Sequence, residues 1–131
     1  MNLVDSSGWL EYFAEGPNAP FFAPAVEDTA HLLVSTINLY EVFKRVFQQR
    51  GEHAALQAVA LMQQGTVVDV TAPISMEAAK ISAEMKLHMA DSLILATARA
   101  YDAIVWTQDS DLDGLSSVRY VGRHHPDGGA R

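Results

Sequence analysis

Four acidic residues stand where the chain changes from one pattern to another. Asp5 follows Asn2-Leu3-Val4, a minimal signal of a buried strand, Asp109 follows a run ending at Trp106, Asp91 opens an apolar stripe at helical spacing, and Glu41 lies in a run crowded with apolar residues. In an open α/β sheet, residues just past the strand ends and at the starts of the following helices gather along one edge, where such folds bind their ligands. Carboxylates crowded together there cannot all stay ionised without a cation among them. Hard divalent ions such as Mg²⁺ or Mn²⁺ prefer oxygen donors, and the chain has no cysteine to compete. Two such ions about 3.5–4 Å apart form a clamp for in-line attack of water on a phosphodiester. The chemistry suggested by these residue types is metal-dependent phosphodiester hydrolysis.

Each acid also has a commoner use. Asp5 can end a strand, Asp91 can cap a helix beside Ser92, and Glu41 can pair with Arg45 four residues on. These uses explain the acids singly better than together, because an unpaired carboxylate at the head of a core-facing stripe is costly. Asp109, Asp111, Asp113 and Gly114 match the opening of a calcium loop, but the twelfth position is Tyr120 rather than Glu and the segment follows a strand. His31, His53, His88, His124 and His125 contain no pair at i, i+4 and no H-E-x-x-H context, so no zinc site is expected. There is no glycine-rich phosphate loop, and Ser6-Ser7-Gly8 does not match a nucleophile elbow.

The elements that must position these acids follow from periodicity and turn signals. Strands are expected at residues 2–4, 32–34, 66–70, 103–106 and 118–121. Helices are expected at 9–15, 21–29 with Pro24 interrupting it early, about 37–49, 52–64, 76–87 with Ser75 as its cap, and from near Asp91. Ser35 or Thr36 can cap the third of these. That helix is apolar at Ile37, Leu39, Tyr40, Val42, Phe43, Val46 and Phe47, which predicts burial over most of its circumference. In the helix near Asp91, Asp91, Ile94, Leu95 and Ala98 share one face. Strands alternating with helices predict parallel βαβ units and an α/β fold with a sheet covered on both sides.

The 131 residues suit one domain, assigned to 1–121, followed by a polar, glycine-rich tail at 122–131 that is expected to be loose. Hydrophobic residues at 49% and charged ones at 19% describe a soluble globular chain, with no apolar run near the roughly 20 residues of a membrane span. An acid at position 5 and no basic N-terminal region predict no signal peptide and a cytoplasmic protein. The net charge of −7 argues against the basic surface of a simple nucleic-acid binder. Clustered carboxylates account for part of that excess, and bound cations would neutralise it locally.

The strand running into Asp5-Ser6-Ser7-x-Trp9, the helical Glu41, Asp91 followed by Ile94-Leu95-Ala96-Thr97-Ala98, and the Thr107-x-Asp109-x-Asp111 turn occur in an order that resembles the PIN-domain family. Within it the chain is most similar to VapC-type toxins of bacterial and archaeal toxin–antitoxin pairs, from Asn2 to about Val121. The resemblance implies a three-layer α/β/α sandwich around a parallel sheet of four to five strands. It also implies a metal-dependent ribonuclease, a homodimer and a small antitoxin that occludes the site. By the same analogy Asp5, Glu41, Asp91 and Asp109 form an acidic quartet at Mg²⁺ or Mn²⁺, with Asp5, Asp91 and Asp109 as metal ligands and Asp111 auxiliary. Ser7 and Thr107 would orient carboxylates, and Lys44, Arg45, Lys86, Arg119 and Arg123 are the candidates for RNA phosphate contacts.

Two other functions fit parts of the pattern. One is a catalytically silent PIN-like module that acts by binding protein. The other is a phosphoacceptor receiver-like domain, which lacks support because Asp5 has serine neighbours, Asp69 lies inside a strand and Val121 is followed by Gly122-Arg123 rather than lysine. Trp9, Phe13, Phe21 and Phe22 could line a partner groove, but core is the expected place for each. A partner ending in a basic segment would complement the acidic charge balance.

Overall fold

Successive residues of a strand face opposite sides of its sheet, so a short strand apolar at every position must be covered twice. The computed structural model, which describes residues 1–123, has that arrangement. Leu3 packs with Leu33 and Val105 on one side, while Val4 packs with Leu32, Val34 and Trp106 on the other. The strands are β1 (Asn2–Val4), β2 (Leu32–Ser35), β3 (Thr66–Val68), β4 (Ile104–Thr107) and β5 (Val118–Tyr120). They form one sheet in the order β3-β2-β1-β4-β5, with every pair parallel. β1 is central, with Leu3 opposite Leu33 on one flank and Val105 on the other.

The helices are α1 (Ser6–Phe13), α2 (Ala19–Glu27), α3 (Thr36–Arg50), α4 (Glu52–Met62), α5 (Ala72–Met85) and α6 (Met89–Ala100). Trp9, Phe22, Val42, Ala58 and Met62 of α1 to α4 cover the Val4 side, and Phe13 and Phe21 pack partly buried against them. Ile94 and Ala98 of α6 cover the Leu3 side, and Leu95 and Ala96 of the same helix hold α5 through Ile74, Ala78 and Ile81. The protein is a three-layer α/β/α sandwich around a five-stranded parallel sheet. Among the described residues, no helix is long and apolar enough to cross a membrane.

Several boundaries differ from those expected, for local reasons. α1 begins at Ser6 rather than residue 9, because Asp5 caps it by accepting from the Gly8 N–H. α5 begins at Ala72 rather than 76. Pro73 occupies the first turn, where its missing N–H costs nothing, and Thr71 rather than Ser75 is the cap. Pro24 lies within α2 instead of breaking it. Ser35 caps α3, and Asn38 completes a reciprocal capping box. The largest correction concerns the side chains of α3, where only Asn38 and Val42 are buried while Tyr40 is 61% exposed and Phe47 51%. α3 and α4 pack on each other and present one stripe to the sheet, and among the described residues no further layer covers the rest. Of the tail expected at 122–131, Gly122 and Arg123 are described, while 124–131, with His124 and His125, lie outside the described residues.

Candidate metal centre

The chain runs outward from β1 through β2 to β3, then returns to place β4 on the other flank of β1. The crevice between the carboxyl ends of β1 and β4 is therefore a topological switch point, where open α/β sheets bind ligands. Asp5 is the first residue past β1, Asp109 lies two residues past β4, and Asp91 sits in the first turn of α6. Each of the three offers a carboxylate oxygen within 4.8 Å of the others.

Asp5 is 4% exposed and held from both sides. Its Oδ1 accepts from Ser7 Oγ at 2.6 Å and from the Gly8 N–H at 3.1 Å, and its Oδ2 accepts from Thr107 Oγ1 at 2.6 Å. Its own N–H donates to the Trp106 carbonyl at 3.1 Å, which ties the turn to β4. Glycine is required next to it, since a Cβ at Gly8 would come within 2.7 Å of Val4 and Phe22 side-chain carbons. Burial pushes the Asp5 carboxyl up, the three donors pull against that shift, and the charge of Asp109 adds to it.

Asp109 is placed by the same threonine, because its N–H donates to Thr107 Oγ1 at 2.9 Å. Its Oδ1 accepts from the Asp111 N–H at 3.0 Å and so starts the short 3₁₀ turn Ser110–Leu112. That turn is pinned by Leu112, fully buried beside Leu3. Asp91 has no comparable set of donors. Burial, the charge of Asp109, a hydrogen bond to Asp109 and the charges of Asp5 and Asp111 raise its carboxyl from 3.8 to about 7.

The arrangement fits a divalent cation on its own terms. Three carboxylates converge, one of them raised to about 7 by burial and by the charges of the others, and among the described residues neither Asp5, Asp91 nor Asp109 takes part in an ion pair. An all-oxygen donor set of this kind selects hard ions. His88, at the N-cap of α6, also comes within 4.8 Å of Asp91 and Asp111. Its position three residues before Asp91 was visible in the sequence, but the nearness of Asp111 was not.

Glu41 is placed differently. It does not join the trio but lines the same groove, and its Oε1 accepts from Ser6 Oγ at 2.6 Å. Ser6 Oγ in turn accepts from Asn38 Nδ2 at 3.1 Å, so the Asn38 that closes the α3 capping box also anchors the Glu41 bond. Ser6 and Asn38 were not singled out from sequence, because both look like ordinary helix-start residues. The groove encloses about 930 Å³ and runs from the acids along α3 and α4. Lys44, Arg45, Arg50 and Arg123 line it. Lys86 and Arg119 do not. Lys86 is exposed at the C-cap of α5, and the Arg119 guanidinium lies over the Trp106 ring at 4.8 Å.

The family model for the PIN domain matches residues 3–117 of the chain. No curated protein sequence matches it. A toxin–antitoxin complex from Klebsiella pneumoniae contains a chain with the same fold, at a TM-score of 0.77 and 21% identity over 91% of this chain and 96% of that one. VapC20 of Mycobacterium tuberculosis, a toxin that cleaves the sarcin–ricin loop, superposes at 0.70 with 21% identity, covering 91% of this chain and 99% of its own. A chain of the DNA-bound VapBC of Salmonella typhimurium superposes at 0.71 with 15% identity, over 93% and 98%.

Proposed function

The chain belongs to the PIN-domain family, and on that basis we propose that it is a Mg²⁺- or Mn²⁺-dependent endoribonuclease toxin restrained by a cognate antitoxin. The observation that carries this reading is the convergence of Asp5, Asp91 and Asp109 within 4.8 Å at the switch point of the sheet. These three would hold the cation, with Asp111 and Glu41 beside them. The bound ion would polarise the scissile phosphate and lower the pKa of an attacking water. Ser7 and Thr107 fix Asp5 in one orientation, so that ligand oxygens need not reorganise as charge develops. Lys44, Arg45 and Arg123 contact backbone phosphates along the groove. Lys86 and Arg119, which lie outside it, contribute less.

The nuclease unit is assigned to residues 1–121. The antitoxin partner is supported by the fold shared with chains of toxin–antitoxin complexes and by the net charge of −7, which a basic peptide segment would complement. A homodimer is part of the same reading. Purified protein should cleave RNA with Mg²⁺ or Mn²⁺ and lose that activity with chelator or on Asp91→Asn. Undiminished cleavage by Asp91→Asn would remove the metal assignment. No cleavage by the wild type, with no stabilisation by Mn²⁺, would leave a silent protein-binding module as the better account.

A further inference from the structure

Gln108, next to Asp109, and Asn18, in the turn between α1 and α2, are each 4% exposed. Buried amides are tolerated when their donors and acceptors are used, and these two use each other. Asn18 Nδ2 donates to Gln108 Oε1 at 2.9 Å and to the Gly122 carbonyl at 3.0 Å. The Asn18 N–H donates to Glu11 Oε2 at 2.8 Å, and Gln108 Nε2 reaches the Ser7 carbonyl and Glu11 Oε1, each at 3.4 Å. A Cβ at Gly16 would collide with the Glu11 carboxylate, so the turn is shaped to receive it. One buried amide thus ties the α1–α2 turn to the end of β4 and to the backbone leaving β5.

The residue that this tie holds comes directly before Arg123. Val121 makes the last backbone bond beyond β5, from its N–H to the Thr107 carbonyl at 3.0 Å, and Gly122 is then fixed by Asn18. Arg123 follows at once and lines the groove that contains Asp5, Asp91 and Asp109. The other cations of that groove among the described residues, Lys44, Arg45 and Arg50, all come from α3. In a chain of net charge −7, a polyanion approaching three carboxylates depends on such local cations. A guanidinium is suited to this because its planar fork matches phosphate oxygens.

Resting on the nuclease reading above, we propose that Asn18 and Gln108 are positioning residues that hold the Gly122 carbonyl, and thereby set Arg123 on the wall of the groove that contains the acids, as a contact for the phosphate backbone of an RNA substrate. The contact acts on binding more than on the chemical step, and it is not a ligand of the reacting atoms.

The test compares wild type, Arg123→Ala, Asn18→Ala and the double variant in steady-state cleavage of a fluorescent RNA oligonucleotide, with ¹⁵N relaxation of the backbone amides at 121–123. Arg123→Ala, an exposed change, should raise KM about five- to tenfold with kcat within about twofold. It should also lower the slope of log affinity against log salt by about 0.7. Asn18→Ala should raise KM in the same direction, and the double variant should be no worse than Arg123→Ala. The Arg123 amide should be as ordered as that of Val121 in wild type and become mobile in Asn18→Ala. If Asn18→Ala does not fold, Asn18→Ser keeps a hydroxyl there that cannot reach both partners.

An Arg123 amide already mobile in the wild type, an unchanged KM in Arg123→Ala, or additive effects of the two changes would overturn the proposal while leaving RNA cleavage intact. Absence of cleavage by the wild type would instead overturn the nuclease reading and the phosphate contact with it, and the relaxation data would decide the positioning role alone.

Discussion

The turn after β1 and the first turn of α6 deliver an aspartate to the same crevice, but they surround it in opposite ways. Asp5 is nearly inaccessible and receives three hydrogen bonds, two from hydroxyls at 2.6 Å and one from a backbone N–H. Asp91 is partly buried, and that burial together with the acids around it pushes its carboxyl up to about 7. One carboxylate is built into the scaffold, so its geometry exists before any ion binds. The other is unsettled by burial and by its neighbours and would gain most from an ion's arrival. A site of this kind separates placement from responsiveness and assigns them to different elements.

The sharpest way to break the comparison is to remove each acid and measure two quantities. On the proposed function, Asp5→Ala and Asp91→Asn should each lower the cleavage rate by about a thousandfold, because each would remove an oxygen of the proposed metal site. Their stabilities should move in opposite directions. Asp5→Ala strips a helix cap and leaves buried donors unpaired, at a cost of about 2–3 kcal/mol in denaturant melts. Asp91→Asn relieves repulsion and should raise the Tm of the metal-free protein at pH 8. Equal losses of stability in both variants would erase the distinction.

Thr107→Val asks how much of the Asp5 arrangement one hydroxyl supports, since that oxygen both donates to Asp5 and accepts from the Asp109 N–H. It should cost about 1–2 kcal/mol and roughly 10–100-fold in activity. An activity near wild type would show that Ser7 and Gly8 suffice. The pH dependence tests Asp91 from the other side. Its carboxyl is raised from 3.8 to about 7, so between those values the folded protein keeps a proton that the unfolded chain has released. The stabilising contribution is full below the lower value and lost as pH rises through the upper one. The metal-free protein should therefore lose this contribution between about pH 4 and pH 7, and Mn²⁺ should raise Tm more at about pH 8 than at about pH 5, since at the higher pH almost no proton must be displaced. Equal Mn²⁺ shifts at both would exclude Asp91 as a ligand. The smallest effect belongs to Ser6→Ala, which frees Glu41 at the margin of the site. It should slow cleavage by about tenfold or less and change stability by about 1 kcal/mol.

The same contrast explains what could be read from sequence. A short strand running into Asp5-Ser6-Ser7-Gly8, and an acid leading the stripe Ile94, Leu95 and Ala98, are local patterns, and a parallel sheet follows from strands alternating with helices; the central place of β1 comes only from the folded strand order. Helix starts were less legible where a cap is followed by polar residues or proline, as at Asp5 and Thr71, because those residues also mark loops. Exposure along α3 departs from its apolar pattern because apolar spacing reports which residues share a face and says nothing of whether a further layer covers it. Partnerships such as Ser6 with Glu41, 35 residues apart, or Asn18 with Gln108, 90 apart, exist only once the chain has folded.

The central place of β1 has a consequence in time as well as space. Asp5 is made early, but the flank of β1 that carries Asp109 stays bare until β4 docks there. At about 5–20 residues per second, roughly 5–20 s of synthesis separate the two acids. Throughout that interval the nascent chain holds an incomplete acidic trio and a central strand bare on one flank. The order of the strands thus ties the completion of the acidic trio to near-completion of the fold, so that partly made chains carry the first acid without the site it belongs to.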